Sequence, residues 1–382
     1  MPVFSILRES GPHEARVAAT PETVARMVQN GAAVRVQAGA GAGACFADAD
    51  YAAAGATVMA ESAAVLDGAQ AVLKVAPPSP EEARALPRGC VLVAFLEPTR
   101  NLASVRALAE AQVSVFAMDL VPRITRAQKM DALSSQANVA GYKAVLLAAA
   151  QLPRYFPLLM TAAGTVKPAK VLVFGVGVAG LQAIATARRL GAVVEATDIR
   201  AETKEQVESL GARFLLVEGG QEGSDESGGY AKEASDDYRR RQAELVGKHL
   251  AEADVVITTA QVPGRQAPVL VTADMVRSMR AGSVIVDLAA SQGGNCELTR
   301  AGETVVAHGV SILGPPNLPA TVAANASELY SRNVLAAVTH LWPGQELVLD
   351  LLDEITDGSL AVHAGEVRHG ATAEALQSGA AS

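Results

Sequence analysis

The stretch Lys170–Arg200 reads KVLVFGVGVAGLQAIATARRLGAVVEATDIR. It begins with an apolar run, passes through the glycine pattern GVGVAG at 175–180, continues with helical periodicity, and ends in a second apolar run that closes at Asp198. A strand, a glycine turn, a helix and a strand that ends in an acid form the dinucleotide-binding unit of α/β proteins. The stretch therefore predicts a site for a dinucleotide.

Each glycine of this pattern has a physical reason. Gly175 allows the tight turn out of the strand, Gly177 lets backbone N–H groups approach a pyrophosphate, and Gly180 lets helix and strand pack closely. The unpaired N–H groups and the positive dipole end of the following helix would then hold the phosphates. Asp198 would accept hydrogen bonds from both ribose hydroxyls of an adenosine, and its charge would repel a 2′-phosphate. The stretch therefore predicts NAD(H), rather than NADP(H), as the dinucleotide.

Glycines at this spacing often mark only turns, and a second glycine run illustrates the difference. The sequence GAGAG at 39–43 has no glycine at position 44, and no strand ending in an acid follows it at the right distance. We predict that this run forms a turn and binds no phosphate.

Composition limits the classes of function. Half of the 382 residues are hydrophobic, enough for two or three domain cores, yet no apolar run reaches the roughly 18 residues needed to span a bilayer. A formal net charge of -8 provides no basic surface for a nucleic acid. Cys45, Cys90 and Cys296 form no metal-binding motif, so a reduced compartment and no metal are expected. Because the first residues lack the features of a signal peptide, we expect a soluble cytoplasmic protein.

Short apolar runs alternate with helix-length segments along most of the chain. Strands are predicted at Phe4–Leu7, Val34–Val36, Ala71–Val75, Cys90–Phe95, Val113–Met118, Val171–Phe174, Phe214–Val217, Asp254–Thr259, Ser283–Leu288, Thr304–Ala307 and Ser311–Leu313. The alternation predicts the α/β class, with two doubly wound parallel-sheet (Rossmann-like) domains and an interdomain cleft. Residues 1–133, completed by 322–382, are expected to form the N-terminal domain, and 134–321 the NAD(H)-binding domain.

Some segments depart from this alternation. Residues 139–169 combine a long apolar helix with three prolines, which predicts a hinge or a domain crossing. Residues 218–233 form a long polar excursion with Tyr230 as its one aromatic residue, either a functional loop or a disordered insertion. A loose polar tail is expected after the last helix, and His363 and His369 in it are not expected to be ligands.

The segment 121–138 combines a helix signal with a polar face. Thr125 and Gln128 fit a capping box, which predicts a helix that runs through Leu146. Polar side chains recur within it at spacings of three and four and would share one face; they are Gln128, Asp131, Ser134, Ser135 and Asn138. This face is either a binding site or a solvated surface, and Arg123 could anchor a phosphate or an amide.

Five stretches together point to one family. They are RITRAQKMDALSSQANVAGY at 123–142, TAAGTV at 161–166, the glycine pattern at 175–180, GGYAKE at 228–233 and GGNC at 293–296. Over nearly its whole length the chain resembles the NAD(H)-binding domain I, the α-type subunit, of proton-translocating NAD(P)+ transhydrogenases. Alanine dehydrogenases share the fold and part of the pattern.

The resemblance implies roles for individual residues. Contacts to NAD(H) would come from Arg123, Ile124, Thr125, Arg126 and Ser134, together with the glycine pattern. The residues nearest the reaction would be Arg123, Gln128, Asp131 and Tyr230, the last on a loop that folds over the nucleotide. The adenosine side would be formed by Val178, Asp198, Ile199 and Arg200. The rest of the cofactor would be met by Gly229, Gln242 and Gln261.

Departures from alanine dehydrogenase bear on the reaction. By the same resemblance, that enzyme needs a substrate-binding arginine and lysine, which Arg16 and Lys74 match. It also needs a histidine and an aspartate, at whose positions this chain has Phe95 and Ser291. Because oxidative deamination needs a group that takes up a proton, and phenylalanine cannot, Arg16 and Lys74 are interpreted as inherited or structural.

The resemblance therefore implies an enzyme that is active only with partner subunits. NADH bound here would pass hydride directly to NADP+ held by a partner, and membrane-spanning subunits would couple this transfer to proton translocation. It also implies a homodimer, held at the inner face of the membrane through its partners. An alanine dehydrogenase-like amino acid dehydrogenase and a non-catalytic NAD-binding regulator are the alternatives.

Overall fold

The computed structural model describes residues 1–217, 236–261 and 265–379. The chain divides into two compact units: unit 1 comprises residues 1–136 and 319–382, and unit 2 comprises residues 137–318. The divisions expected from the sequence fall after residues 133 and 321.

Both units alternate strands and helices. Within the described ranges, the strands are β1 Val3–Ile6, β2 Ala33–Gln37, β3 Thr57–Met59, β4 Ala71–Leu73, β5 Val91–Ala94, β6 Ser114–Ala117, β7 Leu159–Thr161, β8 Gly164–Val166, β9 Lys170–Phe174, β10 Val193–Thr197, β11 Arg213–Phe214, β12 Val255–Thr258, β13 Val284–Asp287, β14 Thr304–Ala307, β15 Val310–Leu313, β16 Leu360–His363 and β17 Glu366–Val367. The α-helices are α1 Pro21–Gln29, α2 Asp48–Ala53, α3 Ser62–Leu66, α4 Pro80–Ala85, α5 Leu102–Glu110, α6 Ala132–Gln151, α7 Val178–Arg189, α8 Lys204–Ser209, α9 Asp236–Glu252, α10 Ala273–Ser278, α11 Ala323–Leu341, α12 Glu354–Ser359 and α13 Gly370–Gln377.

Unit 1 is built on a sheet with the strand order β3-β2-β1-β4-β5-β6-β16-β17. The strands from β3 to β6 are parallel to their neighbours, and β16 and β17 extend the edge in antiparallel fashion. Every residue of β5 is buried, because apolar clusters cover both faces of the sheet. The predicted parallel α/β architecture is confirmed for this unit.

Unit 2 contains a sheet with the order β11-β10-β9-β12-β13-β15-β14. All neighbours are parallel except β14, which runs antiparallel to β15 at the edge. Read from β11 to β15, this is the 3-2-1-4-5-6 order of dinucleotide-binding folds. Apolar clusters cover both faces. The predicted doubly wound sheet is confirmed here as well.

The C-terminal segment is ordered, so the prediction of a loose polar tail was wrong. Its strand β16 pairs with β6, and Leu360, Ala361 and Val362 are buried. His363 Nδ1 lies 3.0 Å from Ser114 Oγ, so this histidine belongs to the sheet edge. Sequence reasoning missed the strand because its short apolar run gains stability only from the partner strand.

Two further features were not predicted. Strands β7 and β8 form a small antiparallel hairpin where a hinge or domain crossing was expected. Strand β3 extends the other end of the unit 1 sheet. Both are short, and such strands carry little periodic signal. Within the described part of the chain, no helix is long and apolar enough to cross a membrane.

Two glycines let α6, α7 and the end of β9 approach closely. A Cβ atom on Gly141 of α6 would lie 2.1 Å from the carbonyl oxygen of Ala179, and one on Gly180 would lie 1.9 Å from that of Gly175. Since real Cβ atoms do not approach backbone atoms this closely, a side chain at Gly141 would force α6 away from α7, and one at Gly180 would force α7 away from the end of β9. The glycine pattern thus permits close packing at Gly180 in addition to forming a turn.

We therefore expect Gly141→Ala to lower the free energy of unfolding by about 1–3 kcal/mol, because the added methyl group meets backbone that cannot rotate away. Urea unfolding followed by circular dichroism would measure the change. Gly247→Ala in α9 is the matched control, since a Cβ there meets nothing within 4 Å. This control should be neutral or stabilising by about 0.4–1 kcal/mol. Equal effects of the two substitutions would show that the close approach does not determine stability.

Candidate functional site

The glycine loop of unit 2 joins β9 to α7 at the carboxyl edge of the sheet. Gly175 has a φ of +91°, a conformation that favours glycine, and it makes the turn out of β9. A Cβ on Gly177 would meet nothing within 4 Å, so the loop is open at this residue. Gly177 is also the N-cap residue of α7, and no described side chain caps that helix. The loop thus offers open space and helix N–H groups at one point, as a phosphate requires.

Asp198 lies directly after β10, beside this loop. Its Oδ2 accepts a hydrogen bond from the Val176 N–H at 2.6 Å. Arg200 donates to the same carboxylate from Nε and Nη2, each at 3.0 Å. The acid at the strand tip is thus tied both to the glycine loop and to a neighbouring cation.

The charge of Asp198 is maintained by these partners. Burial alone would raise the pKa of Asp198, but hydrogen bonds from Arg200 and from the Val176 N–H hold it below its usual range. The carboxyl group is therefore ionised at neutral pH. Sequence reasoning had placed Asp198 and Arg200 on the same side but had not foreseen that they pair, because the pairing depends on the chain path after β10.

Apolar side chains are exposed at the same edge. Ile199 is fully exposed, and Val178 is 40% exposed at the first turn of α7. Two exposed aliphatic side chains beside the open glycine loop are suited to cover a flat, apolar ring.

The side chains of the two glutamines predicted to contact the cofactor form hydrogen bonds with backbone groups of the chain. Gln242 of α9 accepts from the Val217 N–H and donates to the Leu215 carbonyl, both at 3.0 Å. Gln261 donates to the Leu288 carbonyl at 2.7 Å. Their amides therefore fix the segments that follow β11 and β13. Gly229 and Tyr230, the remaining predicted site residues of this region, lie outside the described residues.

In unit 1, the predicted site residues gather on a short 3-10 helix, Thr125–Met130, and on the first turn of α6. Ala127 and Met130 are buried and fix this turn, whereas the polar side chains around them are exposed. The exposed predicted residues are Arg123, Thr125, Arg126 and Gln128. Ile124 is half-buried.

The predicted capping box at Thr125 and Gln128 was wrong. The α-helix begins at Ala132, and Asp131 caps it. Asp131 Oδ1 accepts from the Ser134 N–H at 2.9 Å, and its Oδ2 accepts from Ser134 Oγ at 2.6 Å. Asp131 competes successfully for the cap because a carboxylate accepts from two donors at once. The five polar residues therefore do not share one helix face.

Two contacts around this turn were not foreseen. Asn333 of α11 accepts from Ser135 Oγ and donates to the Lys129 carbonyl, both at 2.8 Å, and so anchors the turn. Asp353 accepts from Arg126 Nη1 at 3.0 Å and also caps α12. Both partners lie on elements far along the chain, and no local pattern signals them.

Arg16 is buried in unit 1 with an internal partner. Its guanidinium donates to Glu14 Oε1 at 2.8 Å and Oε2 at 2.6 Å, and to Gln136 Oε1 at 2.8 Å. The two charged side chains are 8% and 4% exposed. The N–H donors of this guanidinium that could otherwise bind the carboxylate of a small molecule are thus already hydrogen-bonded within the chain.

Lys74 is buried in the same way. Its Nζ lies 3.3 Å from Glu9 Oε2 and 3.6 Å from Glu82 Oε1. Burial raises the pKa of Glu9, although the Lys74 charge and the Val75 N–H oppose that effect. Removing one member of a buried ion pair leaves an uncompensated charge. Arg16 and Lys74 are therefore best explained as structural residues.

At the two positions where an alanine dehydrogenase is expected to need a histidine and an aspartate, this chain has neither residue. Phe95 packs on Tyr330 with 5.1 Å between ring centroids. Ser291 lies exposed after β13. Among the described residues, no group of three or more His, Cys, Asp or Glu side chains could hold a metal ion.

Comparison with known families covers both halves of the chain. Residues 5–140 match the family model "alanine dehydrogenase/PNT, N-terminal domain", and residues 144–370 match "alanine dehydrogenase/PNT, C-terminal domain".

Individual relatives separate two branches. An NAD(P) transhydrogenase alpha subunit of Rhodospirillum rubrum is 49% identical over 374 residues, covering 96% of this chain and 97% of that protein. A crystal structure of transhydrogenase from Sinorhizobium meliloti superposes with a TM-score of 0.88 at 47% identity, over 96% of this chain and 100% of the other. An alanine dehydrogenase of Halomonas elongata is 32% identical, over 98% of this chain and 96% of that enzyme. The chain therefore belongs to the alanine dehydrogenase/PNT family, and it is more similar to these transhydrogenase proteins than to this alanine dehydrogenase.

Proposed function

We propose that this chain is the NAD(H)-binding component of a transhydrogenase, and that NADH bound to it reduces NADP+ held by a partner subunit. Similarity to the Rhodospirillum rubrum subunit over nearly the full length of both chains supports the assignment. When bound, NADH supplies a hydride from its nicotinamide, so that NADH and NADP+ become NAD+ and NADPH. No proton is exchanged at the reacting carbon.

Unit 2 would hold the adenosine and phosphate half of the nucleotide. The N–H groups at the start of α7 would bind the pyrophosphate where Gly177 leaves space. Asp198 would accept from the ribose hydroxyls, and Val178 and Ile199 would cover the adenine. Gly175 and Gly180 shape the loop, and we assign Arg200, Gln242, Gln261 and Gly229 to the surroundings of this half.

We assign the residues on and around the Thr125–Met130 turn to the nicotinamide half. We assign Gln128 and Asp131 to the carboxamide and its ribose, and Arg123 to the geometry of approach. Ile124, Thr125, Arg126 and Ser134 would complete the contacts. Their contribution is proximity and orientation, because a direct hydride transfer needs no general acid or base. Tyr230 would help to exclude water.

The observation that favours this function over an amino acid dehydrogenase is the pairing of Arg16 and Lys74. Both cations already bind carboxylates of their own chain and are buried. A substrate carboxylate would have to displace Glu14 or Glu9 from a buried ion pair, which is costly. Phe95 adds to the contrast, since it cannot exchange a proton.

The remaining parts of the reaction would lie on other chains. We propose an NADP(H)-binding subunit and membrane-spanning subunits as partners, with proton translocation through the latter. In the assembly the chain would be a homodimer at the inner face of the membrane.

An activity test separates the three functions. The chain alone, given alanine and NAD+, should produce no NADH absorbance. After addition of membrane and NADP(H)-binding subunits from a related transhydrogenase, it should reduce an NADP+ analogue with NADH. Turnover of alanine by the chain alone would instead establish an amino acid dehydrogenase. No hydride transfer in the reconstituted mixture would favour a regulator.

Asp198→Asn should narrow the preference for NADH over NADPH, because the variant no longer repels a 2′-phosphate and Arg200 loses its ionised partner. We expect a change of about 1–3 kcal/mol in the difference between the two binding free energies. Nucleotide titrations followed by fluorescence would measure it. Glu205→Gln removes an exposed carboxylate of α8 and should leave the preference unchanged. An unaltered preference in Asp198→Asn would place the residue away from the ribose.

Gln128→Asn should lower the rate of hydride transfer much more than the affinity for NADH, because shortening the side chain misplaces the ring without removing the phosphate contacts. Stopped-flow transfer rates and equilibrium titrations of the same preparation give the two quantities. Lys129→Gln, which alters the exposed neighbour on the same turn, serves as the control. If rate and affinity fell equally, Gln128 would be a binding residue only.

A further inference from the structure

The Gly175–Val176 peptide of the glycine loop is held at both ends. Its N–H donates to Asp198 Oδ2 at 2.6 Å. Its carbonyl oxygen, that of Gly175, accepts from Thr259 Oγ1 at 3.1 Å. One partner follows β10 and the other follows β12, the strands on either side of β9. The plane of this peptide is therefore set by both neighbouring strands.

Thr259 closely matches the shape of the loop. Its Oγ1 also lies 3.1 Å from the Phe174 carbonyl, so the hydroxyl bridges two successive carbonyl groups of the turn. A Cβ on Gly175 would lie 2.6 Å from the same Oγ1. The absence of a side chain at Gly175 thus admits the threonine hydroxyl as well as the tight turn.

A fully buried asparagine holds the segment that carries Thr259. Asn295 Oδ1 accepts from the Ala260 N–H at 3.0 Å, and its Nδ2 donates to the Ala260 carbonyl at 2.8 Å. Its Nδ2 also donates to the Pro268 carbonyl at 2.8 Å. The side-chain amide of Asn295 pairs with both backbone groups of Ala260, as a neighbouring strand would. Its oxygen and both of its N–H groups are therefore hydrogen-bonded.

Asn295 is itself fixed by Asp287 at the end of β13. Asp287 is fully buried, and its Oδ2 accepts from the Asn295 N–H at 2.7 Å and from the Cys296 N–H at 3.0 Å. It also accepts from Thr299 Oγ1 at 2.7 Å. The stretch GGNC at 293–296 thus supplies the side chain that supports the segment carrying Thr259.

We propose that Thr259 is a positioning residue for the pyrophosphate of the nucleotide, and that Asn295 acts through it. The inference rests on the proposed binding of NAD(H) by this loop. Without the hydroxyl, the Gly175 carbonyl would lack its side-chain donor, and the peptide could turn its oxygen toward the phosphates. A carbonyl dipole that points at an anion opposes binding of that anion. In the observed orientation, backbone N–H groups are the groups available to an anion at the opening beside Gly177.

The test uses Thr259→Val, which keeps the shape but removes the hydroxyl, and Thr259→Ser, which restores it. Affinities for NADH, ADP and adenosine are measured with the full chain by calorimetry or competition. Thr259→Val should bind NADH and ADP about tenfold more weakly, the loss typical of one unmade hydrogen bond. Adenosine should bind as before, and Thr259→Ser should bind all three like the unmodified chain.

The alternatives give different results. Unchanged NADH and ADP affinity in Thr259→Val, or an equal loss for adenosine, would overturn the positioning role. If Thr259→Val failed to fold, Thr259→Ala compared with Thr259→Ser would carry the same test. Failure of the unmodified chain to bind NADH would overturn the proposed function and this inference with it.

A double-mutant cycle tests the role of Asn295. Asn295→Asp places an oxygen against the Ala260 and Pro268 carbonyls and should weaken NADH and ADP binding in the same selective way. Combined with Thr259→Val, it should weaken binding no further than the more damaging single substitution, because both act on one peptide. Additive losses would show that Asn295 acts independently of Thr259.

Discussion

A carbonyl oxygen packed against a glycine Cα is the contact on which the proposed nucleotide-binding edge of unit 2 depends. The Gly175 oxygen occupies the space where a Cβ of residue 180 would be, so α7 can start directly beside the end of β9. From this contact follow the direction of the first helix N–H groups and the opening at Gly177. The hydroxyl of Thr259 and the carboxylate of Asp198 then hold the same loop from the two neighbouring strands.

Charge is arranged differently in the two units. In unit 1, Arg16 and Lys74 are buried and paired with glutamates of the same unit, and removing either partner would leave an uncompensated buried charge. In unit 2, Asp198 stays ionised beside a half-exposed Arg200 at an open edge. The proposed role of holding a nucleotide needs only the second arrangement, and it does not require Arg16 or Lys74 to be accessible.

The exposed turn at Thr125–Met130 illustrates how a site is supported from a distance. Its polar side chains reach solvent, yet two buried side chains below it and Asn333 of α11 determine where they lie. Asp131 contributes twice, because it ends this turn and caps the following helix. Rigid support of this kind is what the proposed orientation of a nicotinamide ring by this turn would require.

The sequence by itself determined the α/β class, the parallel pairing of most strands and the strand-turn-helix-acid unit at 170–198. These features depend on local periodicity and on glycines whose conformations are nearly obligatory. It misplaced the start of α6, because threonine and aspartate both cap helices and the sequence favoured Thr125 where the folded chain uses Asp131. It also missed β16, whose stability comes from β6. Tertiary structure alone decided that Arg200 pairs with Asp198, and that Glu14 and Glu9 form ion pairs with the buried Arg16 and Lys74. It also decided that Asn295 supports the glycine loop through Ala260 and Thr259. Arg200 and Asp198 are only two residues apart, as are Arg16 and Glu14, but whether such neighbours pair depends on the chain path and on burial. The other contacts join residues far apart in the chain, and no local pattern encodes their distances.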